Sequence, residues 1–132
     1  MEGDEEVQDH YGLGLKYLEA SLRNLSEGLH EPAMANGIHA LELAMKAALF
    51  TVLGGPIKTH NIGGLFGRHF ESRLGKDVCR AANRILARYD VPRYPGTEQL
   101  DPDDVQADIS FIDDMIRNRI RKIVARHIRE TV

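Results

Sequence analysis

The chain has no tryptophan, a single cysteine, five prolines and no long apolar run, and each scarcity closes off a class of protein. A lone Cys79 forms no internal disulfide and, with no second thiolate, cannot begin a zinc site, so it is expected as a small core residue. No apolar stretch approaches the roughly 20 residues of a membrane span, and no membrane association is expected. The first ten residues hold five acids and no apolar centre, the opposite of a secretory signal, so a cytoplasmic protein is expected. Alternation of period two never persists long enough for a strand. No Gly-x-Ser-x-Gly setting and no Gly-rich loop ending in Lys-Ser/Thr is present, and Gly63-Gly64-x-x-Gly67 follows no strand. The six histidines lack the spacing of a metal set. Glu27 with His30 makes half of a di-iron motif and no second half exists, so neither metal nor cofactor is expected.

What remains is helical periodicity. The 132 residues are enough for one domain with one core, running from an acidic tail at about 1–6 to a basic end at about 124–132. Tyr11, Leu15, Leu18, Leu22, Leu25 and Leu29 step by four and three, predicting a helix from about Glu6 to Leu29 that His30-Glu31-Pro32 breaks. Ile38, Leu41, Met45, Ala48 and Val52 form the next stripe. Additional alanines and leucines around that cylinder predict a helix buried centrally, with His39 as a core or interface residue, until Gly54-Gly55-Pro56 stops it. A short glycine-weakened helix is expected over Ile62 to Glu71, and another over Lys76 to Tyr89. Asp101 and Pro102 then supply a cap and a first-turn proline. They open one long helix carrying Val105, Ile109, Ile112, Ile116, Ile120 and Ile123 on a single face. The fold class is all-α, an antiparallel up-and-down bundle of four to five helices.

Two polar clusters interrupt this pattern. Lys58-Thr59-His60-Asn61 stands at a helix start, where unpaired amides favour an anion; equally, Thr59 or Asn61 caps the helix and His60 bonds to a neighbouring turn. Arg88, Tyr89, Arg93 and Tyr94 interleave cations with phenols, suited to phosphates and bases, or to packing Tyr89 under a loop and pairing Arg93 with acids of the last helix. These residues, with Thr59, His60 and Lys58, form the candidate nucleotide-binding set. The last helix separates its charge, with seven acids from Thr97 to Asp114 and six bases against one acid from Ile116 to Val132. The helix dipole alone favours that polarity, although basic side chains also gain affinity for phosphates.

The order of Ala40 to Leu49 with Lys46, Lys58-Thr59-His60-Asn61, Ala87-Arg88-Tyr89 and Tyr94-Pro95 resembles the HEPN family (higher eukaryotes and prokaryotes nucleotide-binding domain), in its small stand-alone members. The resemblance implies a helical bundle that forms a homodimer, commonly beside a minimal nucleotidyltransferase as protein partner, with a nucleotide or RNA as ligand. It also implies, for active members, a metal-independent ribonuclease of a toxin–antitoxin pair, carrying an arginine, a polar residue and then a histidine at the dimer cleft. Here Arg117-Asn118 has that opening, but Lys122, Ile123 and Val124 stand where histidine belongs. Arg121 and His127 fit the spacing but depart from the pattern in having Lys122 after the arginine and in lying almost at the chain end. A straight helix would point those two side chains about 120° apart. A non-catalytic binding protein is therefore the favoured expectation, with the ribonuclease as the alternative.

Overall fold

The computed structural model describes residues 2–55, 57, 59–88 and 100–131, excluding the side chains of residues 2, 3, 88, 130 and 131. All regular structure among them is helical. The elements are α1 (Glu2–Ser26), α2 (His30–Leu53), α3 (Ile62–Leu74), α4 (Lys76–Arg88) and α5 (Pro102–Asp114). The last continues without a break through a π-helical turn (Met115–Ile120) into α6 (Arg121–Thr131).

Helices α1 and α2 form an antiparallel hairpin. His10 meets Phe50 at 5.0 Å between ring centroids, Tyr17 meets His39 at 4.3 Å, and the buried Ser21 hydroxyl donates to the Ala33 carbonyl at 2.6 Å. The backbone turns at residues 27–29, and α2 already begins at His30. Pro32 therefore sits inside the first helical turn, where its missing N–H leaves no bond unmade, and it does not act as the break expected of it. The apolar surface around α2 has the expected consequence: eleven of its residues are buried, and it touches every other helix. Its exceptions lie at the edges. Val52 and Leu53 are exposed near the C-terminus, and His39 is exposed rather than part of the core, its ring edge-on to Tyr17. Gly54 closes α2 at φ 65°, donating its N–H to the Phe50 carbonyl at 3.0 Å, a left-handed cap that needs glycine.

Helices α3 and α4 make a short hairpin on one side of α2. Phe66 and Phe70, their rings tilted against each other at 4.8 Å and fully buried, anchor it. Burial of such a ring contributes about 1.5–3 kcal/mol, which offsets the weak helix propensity of three glycines. Cys79 is a buried thiol in this layer. Burial raises its pKa and Glu71 adds to that, as expected of an inert core cysteine.

The long C-terminal rod runs antiparallel to α1. Val105 and Ile109 pack with Ala33 and Met34, Ile116 lies beside Tyr11, and His127 lies beside Asp4. Asp101 caps the rod by accepting the Asp103 N–H at 2.8 Å. The rod is not the uninterrupted α-helix its isoleucine stripe suggests. At the π-turn the Arg121 N–H reaches back five residues to the Ile116 carbonyl. The widened turn brings Met115 and Val124, both outside that stripe, into the core together with Ile116, Ile120 and Ile123.

Candidate functional site

Among the described residues, two surfaces take in candidates from the sequence. The first lies where α3 begins and α4 ends. Asn61 caps α3 by accepting the Gly64 N–H at 3.0 Å, and the Thr59 hydroxyl accepts the Asn61 N–H at 3.1 Å. Both residues are thus engaged in building the helix start. Gly63 lets this turn press against α4, since a Cβ there would collide with the Asn83 side-chain oxygen. The result is a cavity of about 320 Å³ lined by Glu42, His60, Asn61, Asn83 and Ala87 among others. His60 shares this cavity with Ala87, the residue preceding Arg88. Lys58, Tyr89, Arg93 and Tyr94 lie outside the described residues, and Arg88 is described by its backbone alone. The electrostatics are mixed. Asn61 answers the positive end of α3 itself, and the Glu42 carboxylate opposes an anion in the same cavity. Among the described residues Arg84 pairs with an acid of the last helix, its Nη2 3.6 Å from the buried Asp108; the pairing expected of Arg93 lies outside them.

The second surface runs along the C-terminal rod. Arg117, Asn118, Arg121, Lys122 and Arg129 rim a groove of about 610 Å³, floored by Ala125 and Ile128. Asp113 touches its upper edge, 3.3 Å from Arg117 Nε. Arg121, Lys122 and Arg129 are exposed. Asp114 organises the entrance, accepting the Asn118 amide at 2.7 Å and Arg119 Nε at 3.2 Å. The Asn118 hydrogen bond and then Arg119 hold the Asp114 carboxyl below its ordinary pKa, against a smaller opposing effect of burial. Under the groove, the Tyr11 hydroxyl donates to the Ile116 carbonyl at 2.7 Å. Burial raises that phenol's pKa, while nearby Arg121 and Arg117 pull it down.

Arg121 and His127, paired by their spacing, are placed apart. Arg121 lines the groove, whereas His127 turns toward α1 with Nε2 3.0 Å from the Asp4 carboxylate. The groove itself is hard to see in the sequence. Its bases follow from the helix dipole taken residue by residue, and only the phase imposed by the π-turn makes them one surface. Met115 and Val124, apolar yet off the stripe, are the sequence signal that the helix is not uniform.

No curated protein and no solved structure matches the chain. The family model of the HEPN domain matches residues 7–123, taking in the α1–α2 hairpin, the turn at His60 and the rod through the π-turn, while Asp4 and His127 fall outside the matched stretch. An all-helical architecture and a match over most of its length agree: the chain belongs to the HEPN domain family.

Proposed function

We propose that this HEPN domain is a non-catalytic homodimer that binds the phosphates of a nucleotide or RNA strand along the groove of its C-terminal rod. The observation that carries the reading is the composition of that groove: four cations and an amide line it, and no imidazole is among its lining residues. Arginine forks match phosphate oxygens in pairs, and each neutralised phosphate adds affinity by releasing counterions. From Arg117 to Arg129 the rod rises about 18 Å at ~1.5 Å per residue, which suits a succession of phosphates better than one. Cleavage needs a group that moves a proton at the scissile bond. His127, held by Asp4 on the face toward α1, is poorly placed to serve Arg121, which weighs against the ribonuclease alternative.

The set Lys58, Thr59, His60, Arg88, Tyr89, Arg93 and Tyr94 is the second reading of the binding surface. The cavity shared by His60 and the end of α4 favours it, and Glu42 within that cavity disfavours a phosphate. A minimal nucleotidyltransferase is the proposed protein partner. The exposed Leu13, on the same helix as Tyr17, suits a contact with a second copy. The test is a titration of a 5′-labelled single-stranded RNA followed by anisotropy, with the RNA then run on a denaturing gel. Binding of intact RNA by the wild type, weakened at least tenfold in Arg117→Ala/Arg121→Ala, is the expected result. Shortened RNA whose production stops in His127→Ala would replace this reading with the ribonuclease.

A further inference from the structure

The π-turn has a mechanical effect on the groove that a uniform helix would lack. In an unbroken α-helix, at about 100° per residue, Arg117 would point roughly 140° from Lys122 and roughly 120° from Arg129. One residue accommodated in a widened turn takes about 100° out of the rotation across it, and Arg117 lies within that turn, so roughly half or a little more of this comes out of each angle, leaving about 80° and 60°. The turn therefore draws toward one face cations that the sequence distributes around half the helix. The Ile116 carbonyl is its keystone. It accepts the Arg121 N–H from five residues on and also the Tyr11 hydroxyl at 2.7 Å. Tyr11 is a part-buried side chain on a different helix.

We propose that Tyr11 is a positioning residue for the anion groove: its hydroxyl holds the Ile116 carbonyl in the widened turn and so keeps Arg117 in phase with Lys122 and Arg129. The inference rests on the groove being the binding surface. Core packing supplies the other constraint, because Met115 and Ile116 on one side of the turn and Ile123 and Val124 on the other are all buried and neither end of the rod can simply rotate. Removal of the hydroxyl then loosens the widened turn itself, where Arg117 and Asn118 sit, rather than unwinding the rod.

The experiment compares wild type, Tyr11→Phe and Ser21→Ala. Ser21 makes the same kind of buried hydroxyl-to-carbonyl bond but lies toward the far end of the hairpin from the groove, so it controls for a general loss of stability. Labelled single-stranded RNA is titrated at several salt concentrations, where the slope of log affinity on log salt is about −0.7 per phosphate neutralised. Tyr11→Phe is expected to weaken binding about tenfold and to flatten the slope by about 0.7, the equivalent of a single phosphate no longer neutralised, with Ser21→Ala unchanged in both. Equal behaviour of the two variants overturns the proposal. Hydrogen exchange reads the turn without ligand. Faster exchange at the Arg121 amide in Tyr11→Phe is expected even if the wild type binds no RNA, a result that would remove the groove reading and leave the turn's support in place. Unchanged exchange there overturns Tyr11's role whatever the RNA does.

Discussion

The cavity at His60 and the groove at Arg117 are built by opposite means. At the cavity, conspicuous residues turn to local architecture: Asn61 and Thr59 satisfy amides of their own turn, and Gly63 exists to let α4 approach. At the groove, residues that look like an ordinary basic helix end are gathered by a backbone irregularity, with Asp113 and Asp114 at the edge. A memorable motif thus marks where the fold is tightly specified, whereas the surface best suited to an anion comes from phase. Phase depends on a hydrogen bond between elements more than a hundred residues apart in sequence.

The largest effect that would separate the two surfaces is on binding. Arg117→Ala/Arg121→Ala should cost two charge-assisted hydrogen bonds, about 3 kcal/mol or two powers of ten in affinity, with the melting temperature nearly unchanged. His60→Ala should leave affinity where it was, as measured by RNA anisotropy. Equal weakening in both would erase the distinction. Next comes the structural role of the α3–α4 packing. Gly63→Ala places a Cβ against the Asn83 side chain, which is exposed and can rotate aside, while alanine gains about 1 kcal/mol of helix propensity; urea denaturation should therefore show a net change of no more than about 1 kcal/mol, without altered affinity per folded molecule. Asn61→Ala removes a cap worth about 1 kcal/mol and should lower the melting temperature by about 4 °C for a domain of this size.

The smallest effect is in pH. Asp114, held below its ordinary pKa by Asn118 and Arg119, contributes stability that is present above its unfolded value of about 4 and lost as pH falls through the lowered folded value. The side chain is half exposed, so screening keeps this to a few tenths of a kcal/mol. Asn118→Ala should flatten the acid limb of the stability profile by that amount, whereas Asn61→Ala should shift the whole profile without changing its shape.

Much of the fold is legible in the sequence because periodicity and punctuation agree. The leucine stripe of α1, the alanine-rich centre of α2, the stop at Gly54 and the cap at Asp101 each carry a local physical reason that tertiary packing reinforces. Pro32 misleads because proline is forbidden only beyond the first helical turn. His39 is not in the core because a mostly apolar helix still has an outer edge, and its exposure leaves the interface expectation standing. The last helix is legible in its start and most of its core face, but of its π-turn the sequence carries only the off-stripe Met115 and Val124. The isoleucines fit a uniform helix equally well, and the bond that decides between them comes from Tyr11. The ligand surface is the least legible for that reason, since the sequence contains the spacing of Arg117, Lys122 and Arg129 but not the angle between them.

The most direct test of the groove as the anion surface is a chemical-shift map of the nitrogen-15-labelled protein titrated with a short single-stranded RNA. The account predicts shifts concentrated on Arg117, Asn118, Arg121, Lys122 and Arg129, fading as salt is raised. Shifts concentrated on Thr59, His60, Asn83 and Ala87, with the rod silent, would contradict it and return the binding site to the start of α3.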